Sequence, residues 1–195
     1  MTDDVFGRGI RIGRRLEYVT LGWNVVAIGV LATAAVAAHS VALGGFGLDS
    51  LIEIGASIVV LWELADVESG RRARATRMIG YAFVLLGVYL VVQSAVVFAT
   101  GTHARHSELG IVWTSATALV MFFLAAGKRR AGTAIGNPVL LTEGRVTLVD
   151  GLLATAVLAG LVLNAAFNSW RADPFSALVV AGYVVFEAVG SLREG

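Results

Sequence analysis

Six apolar runs, each about twenty residues long and parted by short polar connections, constrain this chain more than any other feature. A run of that length matches the span of an α-helix across the hydrocarbon core of a bilayer. The runs fall at roughly 17–38, 42–65, 77–100, 110–127, 139–166 and 174–191. Within lipid every backbone amide must find its partner inside the protein, so such runs predict helices rather than open strands. The composition agrees, with 57% of the 195 residues hydrophobic and a mean hydropathy of +0.79, well above the soluble average. The expectation is an all-α membrane protein with six transmembrane helices. The further expectation is a single transmembrane domain over residues 1–195, with 1–16 as a cytoplasmic N-terminal segment and no soluble domain.

The connections carry the topology. Arg8, Arg11, Arg14 and Arg15 precede the first run; Arg71, Arg72, Arg74 and Arg77 separate the second from the third; Lys128, Arg129 and Arg130 separate the fourth from the fifth. The alternate connections, around His39-Ser40, Thr102 to Glu108 and Asn168 to Asp173, hold only Arg105 and Arg171 as Lys or Arg. By the positive-inside rule both termini are cytoplasmic, and an even number of spans agrees in placing them on one side. Trp23, Trp62, Trp113 and Trp170 fall toward run ends, where an indole ring anchors at the headgroup level or packs.

Several function classes drop out. A net charge of +1 with no broad basic face argues against nucleic-acid binding, which needs a continuous electrostatic footprint. With no cysteine, thiolate metal sites and disulfides are excluded. The first apolar run is too long for the core of a signal peptide. There is no phosphate-binding Gly-rich loop, no His-Glu-x-x-His and no nucleophile elbow, so enzyme chemistry and a resident cofactor have no footing.

Against that apolar background a few polar residues stand out. Asp49, Glu53 and Ser57 are spaced four apart in the second run and share one helical face. Glu143, Thr147 and Asp150 make a similar stripe in the fifth. A carboxylate at mid-bilayer costs at least about 3 kcal/mol, and a bound cation is the simplest offset. Two antiparallel helices facing each other through these stripes would gather Asp49, Glu53 and Asp150 at one level, a set of hard oxygen donors suited to a divalent cation. Glu143, Thr147 and Asn24 are accessory candidates. The alternative is a pair of protonated acids that merely join helices. His39, His103 and His106 read as outer loop residues, and Glu63 and Glu187 as solvated cytoplasmic ends.

The two halves also repeat. Ser40-Val41-Ala42-Leu43 and Asn137-Pro138-Val139-Leu140 stand 97 positions apart, and the same offset joins Glu53 to Asp150 and Asp49 to Val146. With three spans in each half the repeats have opposite orientation in the membrane, an arrangement that places a transporter's site near the midplane.

Asp49-Ser50-Leu51-Ile52-Glu53-Ile54-Gly55-Ala56-Ser57 resembles the second-span motif of the cation diffusion facilitator family, in which His or Asp is followed four residues later by Asp. Asn137 to Asp150 resembles the fifth-span pattern Ser-x-Ala-Leu-x-Ala-Asp-Ala-x-His-x-x-x-Asp, and Trp170-Arg171-Ala172-Asp173-Pro174 resembles the turn into the sixth span. The Gly-Phe-Gly-Leu-Asp-Ser signature at 45–50 points to a small bacterial branch of that family.

The resemblance implies export of a divalent metal (zinc, manganese, iron or cobalt) from the cytoplasm by alternating access, in exchange for protons, by a homodimer in the bacterial inner membrane. Asp49 and Glu53 become the second-span ligands and Asp150 the distal fifth-span ligand. Glu143 falls where the family often has an Asp one turn below. Three departures matter: Val146 stands at the fifth-span His position, Glu53 replaces the usual Asp, and the family's cytoplasmic metal-sensing domain is absent from this sequence. Two other functions fit the same residues, a non-transporting membrane scaffold and a proton-coupled carrier of a small organic cation.

Overall fold

The computed structural model describes residues 2–63, 69–101 and 104–194. Six helices account for nearly all of them: α1 Thr2–Ala38, α2 Val41–Glu63, α3 Ser69–Thr100, α4 Glu108–Ile135, α5 Pro138–Phe167 and α6 Ala172–Glu194. Five are long and apolar enough to cross a membrane, and α3 adds the apolar segment Val84–Thr100. The side chains of Glu63, Arg71, Arg72, Arg74, Arg77 and Glu187, and the whole of His103, lie outside the described residues.

Helix ends and span ends part company at the charged clusters. Arg8, Arg11, Arg14 and Arg15 continue α1 instead of preceding it, and Lys128, Arg129 and Arg130 lie inside α4 rather than in a connection. Lys and Arg are good helix formers, so a helix runs on past the end of an apolar stretch until the backbone is forced to stop. For α4 the stop is Gly136 in the left-handed region at φ 62. Its N–H donates to Thr133 and the N–H of Asn137 to Gly132, closing the last turn as such C-terminal motifs do. The start of α4 is set by Ser107, whose hydroxyl accepts the N–H of Gly110 at 3.0 Å.

The sequence repeat corresponds to a repeated helix start. His39 and Gly136, 97 positions apart, both adopt positive φ, 51 and 62. The next residue in each half caps the helix that follows: Ser40 Oγ accepts the N–H of Leu43 at 3.1 Å, and Asn137 Oδ1 accepts that of Leu140 at 3.0 Å. Both leucines are fully buried. Packing follows the same symmetry, α1 on α2 as α4 on α5 and α2 on α3 as α5 on α6, with the halves meeting through α1–α4, α2–α5 and α3–α6. The start of α2 is further pinned by Asp173 of α6, which accepts a hydrogen bond from Ser40 Oγ and, through Oδ2, from the N–H groups of Val41 at 2.9 Å and Ala42 at 3.4 Å.

The chain is apolar outside and partly charged inside. Val36, Leu85, Phe123, Phe167 and Phe186 are each more than 70% exposed on the rim of the bundle, a surface suited to lipid and not to water. Small and aliphatic residues at helical spacing fill the outer half of the interior, including Ala27, Leu31 and Ala34 of α1 and Ala154, Val157 and Leu161 of α5. Trp23 and Trp113 stack between α1 and α4 with ring centroids 5.0 Å apart, and Trp23 Nε1 donates to Thr117 Oγ1 at 3.1 Å. These two indoles therefore pack the interior. Apart from Asp173 at the start of α2, the buried charged groups are farther in, on α1, α2, α4 and α5.

Candidate functional site

α2 and α5 pack against each other with their polar stripes buried. Asp49, Glu53, Glu143 and Asp150 are between 3% and 5% exposed, and Ser57 and Thr147 are fully covered. Each step of four residues is about 6 Å along the helix, so the stripes form a ladder running opposite ways on the two helices. One rung is fixed by a hydrogen bond in which Thr147 Oγ1 donates to Glu53 Oε1 at 3.0 Å.

On the outer side of that rung, Asp49 and Asp150 lie within electrostatic reach of each other. Both carboxylate oxygens of Asp150 are buried and accept no hydrogen bond. On the inner side, Ser57 lies next to Glu17 of α1.

The innermost rung is built around Lys128 of α4, which is fully buried. Its Nζ lies 3.0 Å from Oε2 of Glu17 and 3.1 Å from Oε1 of Glu143, and it donates to Thr147 Oγ1 at 2.9 Å. Three helices, α1, α4 and α5, thus meet at one ammonium, and Thr147 passes the contact on to Glu53 of α2. A close approach of α4 and α5 makes this geometry available: a Cβ added at Gly144 would lie 3.2 Å from the backbone N of Arg129 and 3.3 Å from Cβ of Lys128. Among the described residues Lys128 is the only buried cation, set in this part of the core against the buried acids Glu17, Asp49, Glu53, Glu143 and Asp150, with Asp173 buried apart from them at the start of α2. A buried charge is tolerated when paired and hydrogen-bonded, and Lys128 meets both conditions.

The residues expected from the sequence separate into two groups. Glu53, Thr147 and Glu143 join the Lys128 network, while Asp49 and Asp150 lie outward of it. Among the described residues no three His, Cys, Asp or Glu side chains converge closely enough to enclose one metal ion. Asn24 is buried, but its Nδ2 donates to the carbonyl of Thr20 in its own helix at 3.0 Å. His39 and His106 are exposed, His106 lying 3.9 Å from Glu108.

Lys128 and Glu17 were not among the sequence candidates. Both carried a signal in helical register. Thr114, Thr117, Met121, Leu124 and Lys128 follow each other at intervals of three or four on the buried face of α4, as do Glu17, Thr20, Asn24, Ala27 and Leu31 on α1. The basic cluster Lys128-Arg129-Arg130 hides this, because only its first member falls on that face; Arg129 and Arg130 are exposed.

An all-helical bundle with a lipid-compatible rim and a charged interior is a multi-pass membrane protein built to hold or pass something polar between its helices. The cation efflux transmembrane domain family model matches residues 75–195, and the chain belongs to that family, as the resemblance of its motifs implied. It is a family of cation efflux transporters and not an enzyme class. The matched residues contain Lys128, Glu143, Thr147, Asp150 and Asp173; the acids of α2 precede them and are joined to them by the fold.

Proposed function

We propose that the chain exports a divalent transition-metal cation, zinc, manganese, iron or cobalt, from the cytoplasm in exchange for protons. Asp49, Glu53 and Asp150 are the ligands in this reading. The observation that carries it is Asp150, whose two carboxylate oxygens are buried without a hydrogen bond and within electrostatic reach of Asp49. Such a group is stable in an apolar interior only with a proton or a cation on it. Two carboxylates from facing helices supply hard donors, and Glu53 joins them if its side chain turns away from Thr147. Val146 contributes no donor at the fifth-span position, so the site is made of oxygens and discriminates poorly among divalent ions.

The same oxygens hold either protons or metal, so binding one releases the other. That competition couples the two fluxes. The repeat supports the direction of loading. The positions 97 residues before Lys128 and Glu143 are Leu31 and Phe46, both buried and apolar. At these two positions the inner side carries charge where the outer side carries apolar side chains, and a cation arriving from the cytoplasm meets carboxylates first. A homodimer in a bacterial inner membrane completes the reading and rests on the family resemblance.

The test is an ion-by-ion flux screen of the purified protein in proteoliposomes carrying a pH-sensitive dye. At least one of the four metals is expected to drive proton movement, and Asp49→Ala, Glu53→Ala and Asp150→Ala each to abolish it with expression intact. Undiminished transport in Asp150→Ala would remove the two-helix site. Proton flux stimulated by a small organic cation and independent of metal would indicate the organic-cation carrier, and no saturable metal binding in calorimetry would favour the scaffold.

A further inference from the structure

The fully buried ammonium of Lys128 lies inward of the acids assigned to the cation, and the proposed site itself does not need it. Its Nζ is paired with Glu17 and Glu143 at 3.0 and 3.1 Å. Through Thr147, whose hydroxyl accepts from Lys128 at 2.9 Å and donates to Glu53 at 3.0 Å, it is one hydroxyl away from a proposed ligand. An ammonium has no lone pair, so it can only donate to Thr147, and an ionised carboxylate can only accept, so with Glu53 ionised the Thr147 proton points to Glu53. Lys128 also interacts directly with the charges of Glu53 and Asp150.

We propose that Lys128 is a tethered cation that competes electrostatically with the transported ion and so sets the affinity of the site. The inference rests on the cation-site reading above and adds a specificity-determining residue to it. With Glu17, Glu143 and Lys128 charged, the inner network carries a single net negative charge instead of two, and the fixed ammonium lowers the attraction that the acid column exerts on any second cation. The effect scales with the charge of the incoming ion, since a divalent cation is repelled by the ammonium twice as strongly as a monovalent one at the same distance. Without this offset the three proposed ligands would lie beside two further buried acids, Glu17 and Glu143, with no fixed positive charge among them. The arrangement also links occupancy to the α2–α5 contact: when Glu53 turns toward the cation, the Thr147 hydroxyl loses its acceptor on α2.

The experiment is calorimetric titration of the detergent-solubilised full chain with Mn²⁺ at fixed pH, comparing wild type, Lys128→Gln, Glu143→Gln and Lys128→Gln/Glu143→Gln. Lys128→Gln is expected to bind Mn²⁺ about tenfold more tightly, and the double variant, whose inner network has the wild-type net charge, to return close to wild type. A purely structural lysine would instead weaken binding or leave it unchanged in Lys128→Gln, which overturns the proposal. Should Lys128→Gln alone not fold, the comparison of Glu143→Gln with the double variant reads the same quantity; removing the ammonium in that background must also tighten binding about tenfold, and no change overturns it. Wild type without saturable Mn²⁺, Zn²⁺ or Co²⁺ binding would defeat the cation-site reading itself, whereas wild-type binding with no effect at Lys128 defeats only the tethered cation.

Discussion

Thr147 and Glu53 come from different halves of an inverted repeat and meet in a single hydrogen bond of 3.0 Å between α5 and α2. The same threonine oxygen accepts from Lys128 at 2.9 Å, so one hydroxyl is shared by the ion-pair junction and the acid ladder. Thr147→Val keeps the shape and removes both contacts. A net loss of about 1–2 kcal/mol follows from hydrogen bonds to charged partners left unmade, readable as a lower midpoint of thermal unfolding in detergent. Thr147→Ser retains the hydroxyl and is expected to keep most of that stability.

Cation binding should weaken as pH falls. The proposed ligands bind metal only when deprotonated, so each metal ion taken up displaces protons and apparent affinity drops with acidity. Calorimetry with Mn²⁺ in two buffers of different ionisation enthalpy measures the protons released. Zero release across the neutral range would argue against coupling through these acids.

Glu17 is expected to matter more for folding than its place near the start of the chain suggests. Its Oε2 lies 3.0 Å from Lys128 Nζ, with both side chains fully buried. Removing one partner of a buried pair leaves the other uncompensated, at a cost of about 3 kcal/mol or more. Glu17→Ala should therefore lower yield and thermal stability sharply, while the exposed Arg14 and Arg15 tolerate substitution by Ala. Equal stability of Glu17→Ala and Arg14→Ala would contradict the junction.

Asp173 serves the scaffold, not the ladder. It accepts from Ser40 Oγ and from the first N–H groups of α2, adding negative charge at a helix N-terminus. Asp173→Asn is expected to cost about 1 kcal/mol of stability and to leave Mn²⁺ affinity unchanged; a large loss of affinity with normal stability would place Asp173 in the transport path.

Val146 tests selectivity. It holds the fifth-span position at which the resemblance implies a histidine and is half-buried in α5. Val146→His adds a nitrogen donor of the kind zinc favours, so the zinc-to-manganese preference in a competitive flux assay should rise. An unchanged ratio would mean that this side chain faces away from the cation.

Six helices, a membrane environment and the offset between halves are legible in the sequence, because each of these is written in local terms. Apolar runs of span length have one stable backbone solution in lipid, and the repeated Ser40 and Asn137 starts are short-range caps that work the same way in any surroundings. The acids of α2 and α5 were legible for the same reason: a carboxylate inside an apolar run is anomalous wherever its helix packs. How those acids divide depends on contacts between helices, with Glu53 bonded inward to Thr147 and Asp150 left without a hydrogen bond farther out. Helix packing likewise buries Lys128, which stands in the sequence as one of three basic residues at the end of a span, and leaves Arg129 and Arg130 exposed. The positive-inside rule counts charges and is indifferent to helical phase, whereas burial depends on which direction each side chain points. Glu17, Glu143 and Lys128 come from three helices and become a site only when α1, α4 and α5 are brought into contact.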